Sequence, residues 1–459
     1  MLKNRNIRLT ATAASFFLMQ FLILRLANQS GRGFLPEEQQ ELVYCFLQIF
    51  VLLGFFIHTL FITLCASQKA GRILRAASLS VCFVGAVMML LMPSDSAAYL
   101  AFTGVTVFLI GFIGGAVYLK MSQMIESGAR AGLCLGIGYA SAIALQYCTQ
   151  LRWTVTPLIA VLLAMAFAVL FIILIPAKLE GGAKEEDRSA LLTIKELIFT
   201  AVITLAMLIF TGYYNSYIHH LQIVSGYTEY NVYSWPRLLM IPGIILFGVI
   251  GDIKKGRLLP IGALCMVVIA LLNAVLSERE TYLLSMCLYY LSITAAIAYY
   301  HLTFLRMAPH TKCPAMWASM GRVIDSVTVI LSFVFGFSRL SSVWVLIIDI
   351  IALATIIIMM ALNGNFNLSK EAPAASVKND KIAAEDALLL IGEQYGLTGA
   401  ELKVFRELVL TEDKQSVIAE RLGIKVRTVQ ADVTSIYRKT GMSTRSGLVG
   451  LYHSALSED

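Results

Sequence analysis

Long uninterrupted apolar runs constrain this sequence more than any other feature. Residues 161–175 and 343–362 are almost free of charge, and an α-helix of about 20 such residues crosses the roughly 30 Å hydrocarbon core of a bilayer. The chain is 58% hydrophobic and 14% charged, whereas a typical soluble domain is about 25% charged. The sequence therefore predicts an integral membrane protein of the all-α class, embedded in a lipid bilayer.

Hydropathy divides the first 362 residues into two groups of six candidate membrane spans. A polar segment, 178–193, separates residues 1–177 from residues 194–362, so each group would form one half of a transmembrane helical bundle. The first span follows a cationic start, as a signal peptide does, but no convincing cleavage site follows and we expect a retained helix. The predicted spans are 10–27, 41–66, 74–93, 97–119, 131–149, 154–177, 194–217, 233–251, 258–276, 281–307, 315–338 and 342–362.

The charges of the connecting loops predict the orientation of this bundle. If the N-terminus is cytoplasmic, the inner loops hold seventeen Lys and Arg residues and the outer loops hold only Arg32, Arg152, Arg279 and Arg339. An excess of loop cations marks the cytoplasmic side. Because the number of spans is even, we expect both termini in the cytoplasm.

Two short motifs resemble a loop of major facilitator superfamily transporters, which often carry G-x-x-x-D-R/K-x-G-R after the second helix of each half. The first half has QKAGR at 68–72, with Gln68 in place of the acid and no leading Gly. The second half has GVIGD at 248–252, followed by IKKGR at 253–257, which is one residue too long. The resemblance implies a transporter-like bundle over residues 1–362, in which this acid helps to latch the two halves. The first motif lacks this acid. We therefore expect the fold of such a transporter, whereas transport by the chain is in question.

Charged side chains within the spans are candidates for a ligand site, because charge in a bilayer is costly. Arg322 and Asp325 are three residues apart and share a helix face. They either line a binding cavity or form a structural ion pair between helices. Asp349 has no obvious local partner, and Arg25 and Arg237 lie near span ends, where long side chains can reach the interface.

Two groups of aromatic and polar residues are further candidates for this ligand site. Tyr213, Tyr214 and Asn215 end the seventh span, and Tyr300 and His301 lie in the tenth. Such residues form either an interfacial aromatic belt or a vestibule for an unknown small-molecule signal.

The sequence shows no sign of an enzyme active site or a metal centre. The eight cysteines are scattered without a C-x-x-C pair, and the histidines do not have the spacing of metal ligands. No nucleophile or phosphate-binding motif appears, so we expect neither a metal nor a cofactor, and an enzyme is the least supported class.

The last sixty residues are polar and have a different pattern. The segments LTGAELKVF at 397–405, VIAERLGI at 417–424, TVQADVTSIYRKT at 428–440 and STR at 443–445 follow one another at a fixed spacing. They resemble the DNA-binding domain of LuxR-type (GerE-like) bacterial transcription regulators. The resemblance implies a four-helix helix-turn-helix domain at 396–459 that binds double-stranded promoter DNA, preceded by a linker at 363–395.

The second helix of the helix-turn-helix motif enters the major groove, and its cations supply affinity for phosphate. Gln430 is suited to adenine and Arg427 to guanine or phosphate, whereas contacts to the DNA backbone position the protein without specifying sequence. Asp432 stands in place of the family's usual His, so we expect an unusual target sequence. The residues expected to face DNA are Lys425, Arg427, Thr428, Gln430, Ala431 and Thr434, with Arg438, Lys439 and Arg445 holding the backbone.

Apolar residues at helical spacing predict a small core for this domain. The predicted core residues are Val417, Ile418, Leu422, Ile424, Val429, Val433 and Ile436. The resemblance also implies that the fourth helix, 443–457, joins two copies into a homodimer. Its apolar stripe, which serves either as the dimer contact or as core, comprises Leu448, Leu451, Tyr452 and Ala455.

Together these features predict a membrane-bound transcription regulator of the bacterial inner membrane. The bundle would sense a signal, and the cytoplasmic domain would bind promoter DNA as a homodimer. The alternative is an active secondary transporter that carries a regulatory DNA-binding tail.

Overall fold

The computed structural model of the chain is helical wherever it describes regular structure, as predicted. It describes residues 4–28, 37–64, 67–126, 130–150, 155–177, 192–224, 234–253, 282–337, 340–362, 390–411, 413 and 415–457, with short pieces at 259–260, 262–264, 267–269 and 388. Within these ranges, the side chains of 37–41, 155, 210–224, 342, 360–362, 410 and 453–457 are not described. The chain forms two compact units, 1–370 and 371–459.

The described helices of the first unit are long and apolar. Nine helical segments in the described ranges have the length and hydropathy needed to cross a bilayer, so the chain is a multi-pass membrane protein. A 3₁₀ turn, Trp235–Leu239, leads into α8. The helices are α1 Arg5–Ala27, α2 Glu37–Leu64, α3 Gln68–Leu91, α4 Ala97–Glu126, α5 Ala131–Cys148, α6 Val155–Leu174, α7 Ile194–Val224, α8 Met240–Asp252, α9 Tyr282–Met307, α10 Pro314–Val334 and α11 Ser342–Leu362.

Eleven of the predicted spans overlap a described helix, although α3 begins at Gln68 rather than 74 and α4 ends at Glu126 rather than 119. The predicted twelfth span coincides with α11, whose side chains are described from 343 to 359. The seventh corresponds to α7, which continues to Val224. The ninth, 258–276, lies mostly outside the described residues, as does the separating segment 178–193. A total of twelve spans therefore stays a prediction.

The first of the two basic motifs is not a loop. It forms the first turn of α3, which begins at Gln68 rather than at the predicted 74. Ser67 caps this helix, because its side-chain oxygen accepts a hydrogen bond from the Ala70 N–H at 3.3 Å. The cap satisfies a backbone donor that the helix itself leaves unpaired.

Asp252, the acid of the second motif, joins the two halves of the bundle at one end. Its two carboxylate oxygens accept hydrogen bonds from the N–H groups of Gly132 and Leu133, at 2.8 and 2.9 Å. These N–H groups belong to the first turn of α5, where a negative charge is favoured by the helix dipole. Arg306 on α9 completes the arrangement by pairing with Asp252 at 2.9 Å and donating to the Gly251 carbonyl at 2.8 Å. We call this set of contacts the Asp252 tie.

Beside the Asp252 tie, α5 and α8 touch through glycines. A Cβ atom built on Gly132 would lie 2.0 Å from the carbonyl oxygen of Gly248, and one on Gly248 would lie 2.4 Å from the carbonyl oxygen of Gly132. Only residues without a side chain allow two helix backbones to approach this closely. The first and second halves are therefore in direct backbone contact at this end.

In the second unit, a helical segment at 390–394 precedes four longer helices, which share a core. These are α12 Gly399–Leu410, α13 Gln415–Leu422, α14 Val426–Thr440 and α15 Arg445–Ser457. Leu388 and Ile391 also lie in this core, 4% and 1% exposed. The compact unit therefore includes residues upstream of 396, where the sequence placed a linker, because their apolar side chains cover the helices that follow.

We predict that Gly132→Ala loosens the contact between the halves, whereas Gly104→Ala does not. A methyl group at 132 meets a backbone carbonyl that cannot rotate away, and overpacking of this kind costs about 1–3 kcal/mol. At Gly104 the nearest atom to a new Cβ is a Phe50 ring carbon at 3.7 Å, an ordinary contact. Thermal unfolding of the full chain in detergent should show a lower midpoint for the first variant only. Equal midpoints would contradict the observed packing.

Candidate functional site

The helix α14 has one buried and one exposed face. Val429, Val433, Ile436 and Thr440 recur every three or four residues and are at most 5% exposed, so they fix the helix against the core. The opposite face carries most of the residues that the sequence assigned to DNA. The exposed residues on and just before this helix include Lys425, Arg427, Thr428, Gln430, Ala431, Thr434 and Arg438.

A tight turn fixes α14 relative to α13. Gly423 has φ +66°, a left-handed conformation that glycine adopts without steric cost. The N–H groups of Gly423 and Ile424 donate to the carbonyls of Glu420 and Ala419, at 3.2 and 3.0 Å. These bonds close the end of α13 and fix the turn, so the start of α14 is held in place relative to α13.

Lys439, predicted to hold the DNA backbone, is bound within the unit instead. Its ammonium group lies 2.7 Å from a carboxylate oxygen of Glu401 and donates to the Gly396 carbonyl at 2.9 Å. Glu401 is itself part of the capping box of α12, with its carboxylate 2.7 Å from the Thr398 N–H. The ammonium group of Lys439, and then the hydrogen bonds from Ser435 and Thr398, lower the pKa of Glu401 to about 2.

Arg445, also predicted to hold the DNA backbone, caps the end of α12. Its guanidinium donates to the carbonyls of Leu408 at 2.9 Å, Asp413 at 2.6 Å, and Thr411. The last carbonyls of a helix lack partners within the helix, so this contact replaces hydrogen bonds that would otherwise be missing. Arg421 is similarly engaged, at 2.5 Å from carboxylate oxygens of both Glu407 and Asp413.

Three cations of the region therefore remain available on the surface. Lys425, Arg427 and Arg438 are exposed, and no hydrogen bond or ion pair joins their side chains to another residue in the described part of the unit. We call Lys425, Arg427, Gln430, Thr434 and Arg438 the α14 face. Its cations are concentrated on one side of one helix.

Two core predictions need correction, and the stripe on α15 proves to be core at two of its four positions, while a homodimer stays a prediction. Val417 and Ile424 are 40% and 38% exposed, because they lie on the outer side of α13 and of the turn after it. In α15, Leu448 and Tyr452 are 0% and 4% exposed, so they belong to the core of the unit and are not free to join two copies. The side chain of Ala455 lies outside the described residues.

The membrane unit contains a cavity of about 170 Å³ between its two halves. The cavity lies toward the C-terminal end of α1, near Asn28. The Asp252 tie lies at the other end of the bundle, near the start of α1, where the side chain of Asn6 accepts a hydrogen bond from the Arg130 N–H. Side chains from α1, α2, α4, α5, α8 with its preceding turn, α9 and α10 line the cavity. They are Phe17, Gln20, Phe21, Leu24, Asn28, Tyr44, Gln48, Tyr118, Tyr139, Arg237, Met240, Tyr289, Tyr290, Ile293, Ile297, Tyr300, His301, Arg322, Asp325 and Val329.

Four of the predicted ligand residues meet in this cavity. Arg322 and Asp325 form an ion pair there within α10, so the pair does not itself join two helices, and its part in ligand binding stays a prediction. His301 stacks nearly parallel to Tyr118, with ring centroids 5.4 Å apart, and contacts Tyr300 at 4.3 Å. The side chains of Tyr213, Tyr214 and Asn215 lie outside the described residues, and their part in a ligand site stays a prediction.

Arg237 is a cavity residue that the sequence reading assigned to the membrane interface. Its guanidinium lies over the Phe21 ring, 4.7 Å from the centroid, which is a cation–π contact. The signal that could have found it is the general rule that a charge within a span is a functional candidate. Arg25, in contrast, donates to the Thr149 hydroxyl. The described residues contain no group of three His, Cys, Asp or Glu side chains arranged to hold a metal ion.

No protein-family model and no curated protein matches the sequence. Among solved structures, the human organic anion transporter MFSD10 (TETRAN) is similar at 12% identity and a TM-score of 0.47, over 77% of this chain and 97% of the transporter. An auto-inhibited peptide transporter of the POT family is similar at 11% identity and a TM-score of 0.46, over 78% and 95% of the two chains. Both TM-scores are below 0.5, so no conclusion about shared fold or function follows from them.

The Glu401–Lys439 pair predicts how acid affects the second unit. The pKa of Glu401 is about 2 in the folded unit, compared with roughly 4.3 for an unfolded glutamate. The stabilisation is therefore fully present above about pH 5 and is lost as the pH falls toward 2. Glu401→Gln should lower the free energy of unfolding of residues 371–459 by about 1–3 kcal/mol at pH 7. It should also flatten the decline of stability between pH 5 and 2, as measured by urea unfolding.

Glu420→Gln serves as the control for this experiment, since Glu420 is exposed on α13. Its unfolding curve should follow the wild type across the same pH range. A wild-type acid transition that persists unchanged in Glu401→Gln would contradict the role of the pair.

Proposed function

We propose that this chain is a membrane-embedded transcription regulator. The second unit binds double-stranded promoter DNA through the α14 face, and the membrane unit responds to a small-molecule signal. The observation that carries the proposal is the geometry of α14. Its cations and hydrogen-bonding side chains stand exposed on one face while the opposite face is anchored in a core.

The dimensions and chemistry of the α14 face suit a DNA groove. An α-helix fits the major groove of B-DNA, where Gln pairs with adenine and Arg with guanine. Gln430 and Arg427 lie on the first turns of α14, the part of a recognition helix that contacts base edges. Arg438, three turns further along, is positioned for backbone phosphate. Asp432 is half-buried beside this face and would oppose phosphate, while accepting a hydrogen bond from a cytosine amino group.

The turn between α13 and α14 supports the same proposal. The Gly423 turn sets two short helices at a fixed angle, as a helix-turn-helix motif requires. Arg421, Lys439 and Arg445 support this architecture, because their ion pairs and carbonyl contacts join α13, α14 and α15 to α12 and the residues after it. We therefore assign them to the stability of the domain, and not to DNA contact.

The membrane unit offers two features suited to sensing. The cavity provides a place for a ligand, and the Asp252 tie holds the halves together at the opposite end. A ligand shifts a conformational balance only as far as it binds one arrangement better than the other. In this proposal, a ligand in the cavity changes the balance between conformations in which the Asp252 tie is formed and conformations in which it is broken. The chain between the units transmits that change to the DNA-binding unit.

The proposal predicts that Arg427→Ala removes most DNA affinity of the full chain. Loss of one phosphate or base contact costs about 1–3 kcal/mol and, for a phosphate contact, lowers the salt slope of binding by about one. Lys403→Ala is the charge-matched control, since Lys403 is exposed on α12 and not on the α14 face. Binding should be measured on genomic fragments at several salt concentrations. Equal losses in the two variants, or no binding by the wild type, would refute the proposal.

A second candidate function is active transport with a regulatory DNA-binding tail, because a cavity between two tied halves is also what a secondary transporter needs. Flux distinguishes the two. Vesicles that contain the full chain should bind a cavity ligand without accumulating it if the bundle only senses. Accumulation that stops in an Asp252→Asn variant would favour the transporter.

A further inference from the structure

An apolar side chain is exposed at the start of α14, beside the α14 face. Val426 is the first residue of this helix and is 41% exposed. It lies four residues before Gln430 and eight before Thr434, so these three side chains follow one another along the helix. Because apolar surface is more stable when it is buried, the position of Val426 suits contact with an apolar group of a partner.

Exposed apolar side chains are sparse elsewhere in the described part of the second unit. The large ones are Leu390, Val417, Ile424 and Val426, and two of these four flank Lys425 where the chain enters α14. A single exposed apolar residue is ordinary on a protein surface. Two of them beside exposed cations, at the end of the helix proposed to enter the major groove, form a combined apolar and cationic surface.

The charges around Val426 favour DNA over protein as the partner of this surface. Lys425 and Arg427 precede and follow it in the chain, and both are exposed. A second copy of the chain that docked symmetrically here would place these cations against one another. An apolar protein surface would remove water from them without supplying a counter-charge, whereas DNA supplies phosphates.

The major groove offers Val426 one apolar group. The four bases present hydrogen-bonding atoms there, and thymine adds the methyl group on its C5 atom. Valine neither donates nor accepts a hydrogen bond, and placing it against the amino group of cytosine would bury a donor without a partner. The thymine methyl is therefore the base group that Val426 contacts favourably.

We infer that Val426 recognises a thymine of the target DNA through the C5 methyl group. This inference rests on the proposed binding of DNA by the second unit, and it names a base that the unit selects. Gln430, which suits adenine, lies one helical turn further along, where Cβ atoms are about 5–6 Å apart. Stacked base pairs are roughly 3.4 Å apart, so the thymine lies within about two base pairs of that adenine.

Uracil tests this contact directly, because it differs from thymine only in lacking the C5 methyl group. A preferred duplex is first selected from a pool of random-sequence DNA on the full chain in lipid nanodiscs. Each thymine of that duplex is then replaced by uracil, one at a time, and the affinity is measured. We expect one replacement to weaken binding about fourfold, the effect of one buried apolar carbon. Unchanged affinity at every position would overturn the inference.

Variants of two exposed valines assign the effect to a side chain. Val426→Ala should remove the uracil effect, because alanine is too short to reach the methyl group, and Val426→Ser replaces it if that variant fails to fold. Val417→Ala is the matched control, since Val417 is 40% exposed but lies on α13, and it should retain the fourfold effect. A uracil effect that persists in the Val426 variants, or that disappears equally in Val417→Ala, would overturn the inference.

The selection step separates this inference from the proposed function. If the wild type binds no duplex and enriches no sequence from the pool, the regulator proposal is wrong and the inference falls with it. If a sequence is enriched but uracil changes nothing, DNA binding stands and the role of Val426 is wrong.

Discussion

The Asp252 tie determines how the membrane unit is held together. One carboxylate accepts two N–H groups at the start of α5, 2.8 and 2.9 Å away, and pairs with Arg306 of α9, so three helices from both halves meet at a single group. The side chains of Asp252 and Arg306 are 25% and 26% exposed, and loss of the carboxylate would leave two N–H groups of α5 without this partner. The glycine contact between α5 and α8 depends on the same closeness. With this end of the bundle closed, the cavity between the halves lies toward the other end.

Charged side chains that have partners hold helices together in both units. Arg306 and Lys439 are bound to carboxylates, and Arg445 to backbone carbonyls. In the described part of the second unit, the exposed cations Lys425, Arg427 and Arg438 lie on the α14 face, where they are solvated and suit phosphate.

Much of this arrangement could be predicted from the sequence, because periodicity is local. The membrane spans follow from apolar runs, and the exposed and buried faces of α14 follow from the 3.6-residue repeat. The partners of the cations could not be predicted. Lys439 reaches Glu401, 38 residues earlier, and Asp252 reaches Gly132, 120 residues earlier, so only the folded chain shows that these charges are engaged. Arg237 was placed at the interface for the same reason, since its position near a span end gives no information about the helices around it.

The central claim is that a chain held in the membrane acts on DNA through the α14 face. Crosslinking the full-length protein to the chromosome in its own cell, and mapping the bound fragments, tests this most directly. The account predicts discrete binding sites in the wild type that disappear in Arg427→Ala while the amount of protein in the membrane stays the same. A uniform background in the wild type, or the same sites in the variant, would contradict it.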